Sequence, residues 1–307
     1  MMELNNIDNE LLGIVADLHS VPQGAFNIRK NGKSIARSSS ASIEIETNST
    51  GDGINIKIKD GTRNESVHIP VILTQSGLTE SVRNDFFIGD NCDITIIAGC
   101  GIHNGGDKLS SHSGIHHFFI GTNSKVKYIE KHFGVGKLEK QEMHPETIIN
   151  IGVNSVFEME TSQLGGISNS IRKTSATLAD NASLNINEKI LTENRQAAET
   201  DFFAELNGKN SSAHIVSRAV AKGESVQKFK SILNGKEKCF GHTECDCIVM
   251  DKAKVFATPE VNALSTDASL IHEAAIGKIA GEQITKLMTL GLTEEEAQNQ
   301  IIKGFLG

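Results

Sequence analysis

Four side chains that bind metals well lie within nine residues of one another: Cys239, His242, Cys245 and Cys247. Thiolates are soft ligands that suit zinc, Cu(I) and iron–sulfur clusters. The spacing permits one zinc site, but such sites usually need a turn between ligand pairs, and the run from Cys245 to Met250 has the pattern of a strand. On a strand, Cys245 and Cys247 point to the same face. The competing interpretation is that one of them, Cys247 above all, only packs in the core.

An imidazole and a carboxylate follow about 25 residues later, at His272 and Glu273. If the chain is built from stacked repeats, both lie beside Cys245 and complete an iron site that stays open to a second subunit or solvent. Glu260, directly after Pro259, is a weaker candidate, as are His242 and Cys247. Alternatively, His272 and Glu273 begin the helix that follows, where negative charge is favourable.

A second group of imidazoles, His103, His112, His116 and His117, lies in the first half of the chain, after Cys100. Three histidines within six residues could bind a metal. The Gly- and Ser-rich run between His103 and His112 has the composition of a loop. We therefore expect this stretch to be an exposed loop or a conformational feature, and the sequence does not give its role.

The elements that must position these residues are predicted mainly as strands. Residues 42–46 and 54–59 alternate apolar with polar side chains, as half-buried strands do. A weak repeat follows, in which a turn built on Gly and Asn precedes each strand. The asparagines, spaced by 32, 31, 27 and 29 residues, are Asn91, Asn123, Asn154, Asn181 and Asn210. Such a period favours a β-solenoid over a β-sandwich.

Helical spacing occurs at both ends of the chain. Residues 6–19 read as an amphipathic helix. After Gly277 the apolar residues recur at helical spacing, Gly291 marks a stop, and Thr293 with Glu296 forms a capping box for a last helix. This C-terminal hairpin either covers the last coil or presents a face to a partner. The predicted division is 1–23 helical, 24–275 β-helix and 276–307 helical.

Composition excludes several classes. The 307 residues carry a net charge of −8 without a basic block, so we expect no nucleic-acid partner. There is no signal peptide and no apolar run of 18 residues, which predicts a chain that does not cross a membrane. Five cysteines, an odd number, fit a reducing cytoplasm. No phosphate-binding loop, dinucleotide fingerprint or hydrolase motif is present, so a self-sufficient enzyme is not expected.

The C-terminal segments resemble the SufB/SufD family of iron–sulfur cluster assembly scaffolds. The resemblance covers roughly residues 85–307 and is specific in about the last 65. The segments that carry it are residues 241–246, 259–260, 271–279, 291–293 and 301–305, with 113–117 also similar.

This resemblance implies a right-handed parallel β-helix with helical ends. It implies that Cys245 is the central thiolate, that Glu273 is its co-ligand and that His272 is functional. It also implies a SufC-type ABC ATPase docked on the C-terminal helices, two paired scaffold subunits, and a cysteine desulfurase or other sulfur donor. Because the Cys and the His-Glu pair are all present, the chain is more similar to SufB than to SufD.

Several points stay open on the sequence. Many SufB proteins have a longer N-terminal region with a cysteine motif, and the shorter length here suits a homodimer, although a SufB/SufD-type heterodimer is not excluded. A flavin is associated with the family, but no residue pattern argues for one. The rival functions are a zinc-stabilised protein and a ligand-binding β-solenoid; for a polysaccharide binder, the absence of Trp is unfavourable.

Overall fold

Strands form most of the molecule. The computed structural model describes residues 4–20, 22–137 and 139–307. In this part of the chain the helices are α1 Asn6–Ala16, α2 Gly281–Met288 and α3 Glu294–Leu306. The strands are β1 Ala25–Lys30, β2 Lys33–Ser38, β3 Ile43–Thr47, β4 Gly53–Ile58, β5 Arg63–Leu73, β6 Thr79–Ile88, β7 Asp93–Asn104, β8 Ser110–Ile120, β9 Lys125–Gly136, β10 Gln141–Met143, β11 Glu146–Ile151, β12 Val156–Leu164, β13 Asn169–Leu178, β14 Ser183–Thr192, β15 Ala197–Leu206, β16 Ser211–Ala221, β17 Val226–Gly235, β18 Cys239–Val249, β19 Lys254–Ala263 and β20 Ala268–Gly277.

From β4 onward the chain passes back and forth between two facing sheets, with β10 and β11 both in the same sheet. This arrangement confirms the predicted β-solenoid, which has about eight turns. Sheet A runs in the order β2-β1-β5-β7-β9-β12-β14-β16-β18-β20. Sheet B contains β3, β4, β6, β8, β10, β11, β13, β15, β17 and β19. Except for β1–β2 and β3–β4, neighbouring strands are parallel. A coil is one strand of each sheet with its two turns, and the side chains between the sheets form the core.

The predicted asparagine turns are present at one corner of five successive coils. All five asparagines adopt left-handed backbone, with φ between 52° and 58°. Their side-chain amides also bond from coil to coil: Asn154 donates to Asn123, Asn181 to Asn154 and Asn210 to Asn181, at 3.0 to 3.3 Å. The repeated residue therefore does two things, because it permits the turn and it links neighbouring turns.

Helix α1 packs on the outer face of sheet A, over β5, β7 and β9. It ends at Ala16, three residues earlier than predicted, because Asp17 turns into left-handed backbone and its N–H bonds back to the helix. Two outward positions of β7 are Gly99 and Gly101, and the helix lies directly on them. A Cβ on Gly99 would lie 2.4 Å from the carbonyl oxygen of Val15. Glycine at this position is what allows the close approach.

The C-terminal helices differ from the prediction in position. The strand β20 continues to Gly277, so Ile276 belongs to the sheet and helix α2 begins only at Gly281. The capping box of Thr293 and Glu296 is confirmed. Helix α3 buries Ile302 and Leu306 on the outer face of sheet A, against the apolar side chains Leu191, Val220 and Ile248. In the described residues the hairpin thus lies beside the last coils and leaves their end open.

None of the three helices in the described part of the chain has the length and apolar character needed to span a bilayer. The division at 1–23, 24–275 and 276–307 remains a prediction.

The packing of α1 gives a direct test. Replacing Gly99 with Ala should lower the free energy of unfolding by about 1–3 kcal/mol, because the added methyl group must push backbone apart. Thermal and urea unfolding measure this, and limited proteolysis should release α1 faster. Gly277→Ala is the matched control, since a Cβ there meets no atom within 4 Å. Equal losses in both variants would contradict the proposed role of the close contact.

Candidate functional site

The alternation of β18 separates the candidate residues onto two faces. Cys239, Thr243, Cys245 and Cys247 are buried and point into the solenoid, whereas His242 is on the outer face with its neighbours Glu244 and Asp246. The strand is extended throughout, so Cys239 and Cys247 are separated by roughly 26 Å at about 3.3 Å per residue. The four side chains of the first cluster therefore cannot share one zinc ion.

On β20, the next strand of sheet A, His272 and Glu273 lie on opposite faces of the sheet. Across β18 and β20, Thr243 pairs with His272, Glu244 with Glu273 and Cys245 with Ala274. His272 is thus on the inner face, where its Nδ1 lies 2.7 Å from the Thr243 hydroxyl, diagonally across from Cys245. Glu273 is on the outer face. Neither residue begins a helix, so that alternative for the pair is wrong.

The outer face carries a separate group of ligating side chains. His214 on β16 is directly opposite His242, and the two rings stack with centroids 5.1 Å apart. One ligating atom each of His214, His242 and Glu244 lies within 4.8 Å of the others. Glu273 Oε2 lies 3.2 Å from Nε2 of His242. Burial, and then the neighbouring His242, lowers the pKa of His214.

The remaining weak candidates lie apart from Cys245. Glu260 is exposed on β19, in the other sheet, and accepts a hydrogen bond from Asn262. Cys247 is buried among the apolar side chains Ile190, Ala198 and Ala219. This arrangement matches the core-packing interpretation of that thiol.

Cys245 ends a polar column that runs inside the solenoid along sheet A. The register places Glu130, Thr161, Glu188, Ser217 and Cys245 side by side on successive strands. All five are buried. The Ser217 hydroxyl donates to Glu188 Oε2 at 2.7 Å. The Cys245 thiol is therefore separated from the buried Glu188 carboxylate by one strand, on which Ser217 lies between them.

An arginine from sheet B supports the column. Arg172 donates to Glu130 at 2.5 Å and approaches Glu188 at 3.7 Å. Burial opposes the charge of Glu130, but Arg172 and His132 outweigh it and hold the pKa of that carboxyl well below its usual range. Burial raises the pKa of Glu188, against the attraction of Arg172 and the hydroxyls of Ser217 and Thr200. The guanidinium of Arg172 thus lies within ion-pair distance of two buried carboxylates, Glu130 and Glu188.

These surroundings keep the Cys245 thiol protonated. Burial, and then the negative charges of Glu188 and Asp246, raise the pKa of Cys245 to about 12. The side chain is 1% exposed. Burial, and then His242, lowers the pKa of His272. A reactive thiolate needs the opposite environment, electropositive and accessible. As folded, Cys245 is therefore a protonated and inaccessible thiol, and a change in its surroundings is needed before it can act as a thiolate.

The expected loop is present at residues 105–109, between β7 and β8, but the histidines of the second group lie on the strands. His112 and His116 are buried in the strand β8, pointing inward. His116 Nδ1 lies 2.6 Å from the Tyr128 hydroxyl, and burial lowers the pKa of His116 to about 4 and that of His112 to about 3. Both imidazoles are therefore neutral core groups in the same polar interior as Glu130. His103 and His117 point outward on their strands.

The solenoid is open beyond β19 and β20. The edge strands expose the large apolar side chains Phe256, 53% exposed, Ile271 and Ile276, and the connection between the two strands exposes Leu264 by 64%. Unpaired strand edges of this kind normally associate with another chain or are protected. Cys245 lies on β18, one strand in from this end of sheet A.

Comparison with known proteins identifies a family. The family model for "SUF system FeS cluster assembly, SufBD core domain" matches residues 71–305. The chain is 28% identical over 262 residues to an iron–sulfur cluster assembly SufBD family protein of Methanothermobacter thermautotrophicus, covering 83% of this chain and 62% of that protein. A relative from Archaeoglobus fulgidus with the same description is 29% identical over 228 residues, which is 74% of this chain and 60% of the relative.

A third relative is the iron–sulfur cluster assembly protein SufB of Bacillus subtilis, 35% identical over 101 residues, or 32% of this chain and 22% of SufB. The chain spans about three fifths of the length of the two archaeal relatives. The matched core-domain region contains the polar column, Cys245, the outer-face histidines and most of the C-terminal hairpin. On this match, the chain belongs to the SufBD family of iron–sulfur cluster assembly proteins.

Proposed function

We propose that the chain is a scaffold subunit on which iron–sulfur clusters are built and then handed on. Cys245 supplies the central thiolate, and His272 lies on the same face one strand away. The observation that carries the proposal is this buried thiol, one rung from an open solenoid end, in a family described by cluster assembly. Iron and sulfide are the substrates of the scaffold. ATP hydrolysis belongs to a partner, and the chain itself is not an enzyme.

Cluster assembly requires the last coil to move. Cys245 is buried and protonated as folded, so neither iron nor a sulfur donor reaches it until β20 or β19 is displaced. Three residues, 278–280, connect β20 to helix α2, and they span at most about 11 Å. Displacement of the hairpin therefore pulls directly on the strand that covers the thiol.

Glu273 joins the site in the displaced state. It points outward in the present register, but a one-residue slip of an edge strand exchanges its two faces. Such a slip of β20 places Glu273 opposite Cys245. In that register His272 turns outward, and Glu273 takes its place beside the thiolate. A carboxylate holds a cluster less firmly than a further thiolate, which favours transfer to a recipient.

The open end is the surface we assign to a second scaffold subunit. It combines unpaired strand edges with the exposed apolar side chains Phe256, Leu264 and Ile271. Pairing there buries these groups and brings two copies of the Cys245 region together. The pair is a homodimer, or a SufB/SufD-type heterodimer where a second scaffold exists.

Helix α2 is the surface we assign to the ATPase. None of its residues is buried, and Met288 and the following Leu290 are exposed by 45% and 76%. Helix α3, by contrast, is fixed on sheet A by Ile302 and Leu306. A SufC-type ABC ATPase on α2 couples nucleotide-driven movement to β20. A cysteine desulfurase or similar enzyme supplies sulfur, and the assembly works in the cytoplasm. A flavin has no support from the fold or the comparisons and is not included.

Replacing Cys245 with Ser should abolish cluster retention. After anaerobic incubation with Fe²⁺ and sulfide, the wild type should keep both elements through desalting, whereas Cys245→Ser should keep almost none, because serine is a poor ligand for this soft site. Iron and acid-labile sulfide are measured with the visible absorption spectrum.

The matched control is Cys92→Ser, a buried thiol whose Sγ already lies 3.2 Å from the Lys59 carbonyl oxygen, so serine can keep that contact. Thermal unfolding verifies that both variants fold. Retention of the cluster by Cys245→Ser, or zinc as the sole bound metal in the wild type, would show that the scaffold proposal is wrong.

Opening of the last coil should be visible as thiol reactivity. At pH 8, Cys245 should react with iodoacetamide far more slowly than a free cysteine, because its pKa is near 12 and it is buried. Low urea should accelerate Cys245 before global unfolding, since terminal coils of a solenoid open first.

Peptide mass spectrometry compares Cys245 with Cys92, which lies between β6 and β7, three strands in from the other end of sheet A, and should react only on global unfolding. Rapid labelling of Cys245 in the native protein, or parallel labelling of both thiols in urea, would rule out selective opening of the end.

The double variant Met288→Asp/Leu290→Asp should lose its ATPase partner. Charged groups on α2 disrupt an apolar contact without disturbing a buried residue of this chain. Co-expression with a SufC-type ATPase and gel filtration with light scattering measures the complex, which should contain two scaffold subunits.

Leu109→Asp is the matched control, since Leu109 is an apolar side chain, 43% exposed, in the loop between β7 and β8, away from the hairpin. Undiminished ATPase binding by the double variant would refute α2 as the docking surface. A complex with a single scaffold subunit would refute pairing at the open end.

A further inference from the structure

The outer face of sheet A carries ligating side chains that the proposed cluster site does not use. His214 and His242 occupy neighbouring rungs on β16 and β18, and Glu244 is two residues along from His242 on the same face. One ligating atom from each lies within 4.8 Å of the other two. Parallel strands with fixed register hold the three positions, so little ordering is needed to bring them around an ion.

The donor set has a defined chemistry. Two imidazoles and a carboxylate are the borderline donors that first-row divalent ions prefer, whereas Mg²⁺ and Ca²⁺ prefer oxygen alone. Glu273 stands 3.2 Å from the His242 ring and adds a second carboxylate, as a further ligand or as the partner that orients the ring.

The electrostatics also favour a cation. Among the described residues, neither Glu244 nor Glu273 has a lysine or arginine within salt-bridge distance; the partner of Glu273 is His242. Elsewhere on the surface, outward glutamates such as Glu158 and Glu160 are paired with lysines of the neighbouring strand. The two glutamates next to the stacked histidines thus lack the direct lysine pairing seen elsewhere on this solenoid, and the cation that acts on Glu244 from farther away is Arg218.

We propose that His214, His242 and Glu244, with Glu273 beside them, bind a divalent first-row transition-metal ion on the outer face of sheet A. This site is separate from Cys245, because the pleat of β18 puts the thiol on the opposite face. That the physiological ion is Fe²⁺ rests on the proposed function; the site itself does not. An ion held there links β16, β18 and β20 from outside, through side chains of all three strands.

Titration with Co²⁺ under anaerobic conditions tests the site. The wild type should bind one Co²⁺ with the ligand-field bands of nitrogen and oxygen ligation. His214→Ala, His242→Ala and Glu244→Gln should each weaken binding on the order of tenfold or more. Fe²⁺ should compete with Co²⁺ for the wild type.

Two controls separate this site from others. His144→Ala removes another histidine that lies near a glutamate, His144 being 3.5 Å from Glu142, but one without a second imidazole. Cys245→Ser removes the proposed cluster thiolate. Both variants should bind Co²⁺ as the wild type does, and thermal unfolding should show every variant folded.

The proposal would be overturned if the wild type showed no saturable one-to-one binding of Co²⁺, or if His214→Ala bound Co²⁺ as tightly as the wild type. A spectrum with thiolate-to-cobalt charge transfer that vanishes in Cys245→Ser would also overturn it, because the ion would then be at the thiol. If Cys245→Ser keeps its clusters while the histidine variants lose Co²⁺, the scaffold proposal fails and the outer site stands.

Discussion

Every coil inside the solenoid is hydrogen bonded to the coils on either side, and this parallel register determines which side chains each residue can contact. A residue has one neighbour on the preceding coil and one on the next, and the pleat assigns it to the inside or the outside. The juxtaposition of Ser217 with Cys245 and Cys245 with Ala274 follows from that pairing. So does the separation of Cys245 from Glu244, its neighbour in sequence. The chemistry of the molecule depends on this geometry more than on any single contact.

The sequence predicts the solenoid well because its signals are local. Alternation identifies strands, and asparagines that tolerate left-handed backbone mark the turns, as Asn91 and Asn154 do. Helix ends are also local where a capping box exists, as at Thr293. The start of α2 is predicted too early, since Ile276 fits a helical stripe as well as it fits the edge strand β20. Pairing with β18 places Ile276 in the strand, and that interaction is not local in sequence.

The candidate site is predicted only in part, for the same reason. Stacking of one coil on the next suggests that His272 and Glu273 approach Cys245, but an error of one residue in coil length exchanges the faces. His272 is inside and Glu273 outside. The pattern of β9 could have revealed polar groups that point inward. Glu130 and His132 continue the alternate positions that begin with the buried side chains Val126 and Tyr128. His214 has no sequence signal of its own, because its partner His242 lies 28 residues away.

The buried ion group has a consequence for how the length of this solenoid can vary between relatives. A solenoid grows or shrinks most simply by whole coils, since a duplicated coil offers the same surface to both neighbours. Arg172, however, contacts Glu130 and Glu188, which lie on strands two rungs apart in sheet A. A coil inserted between β9 and β14 separates one carboxylate from the guanidinium and leaves a buried charge unpaired, at a cost of about 3–5 kcal/mol. Coil gain and loss should therefore occur outside the segment from β9 to β14, whose length is fixed by this ion group.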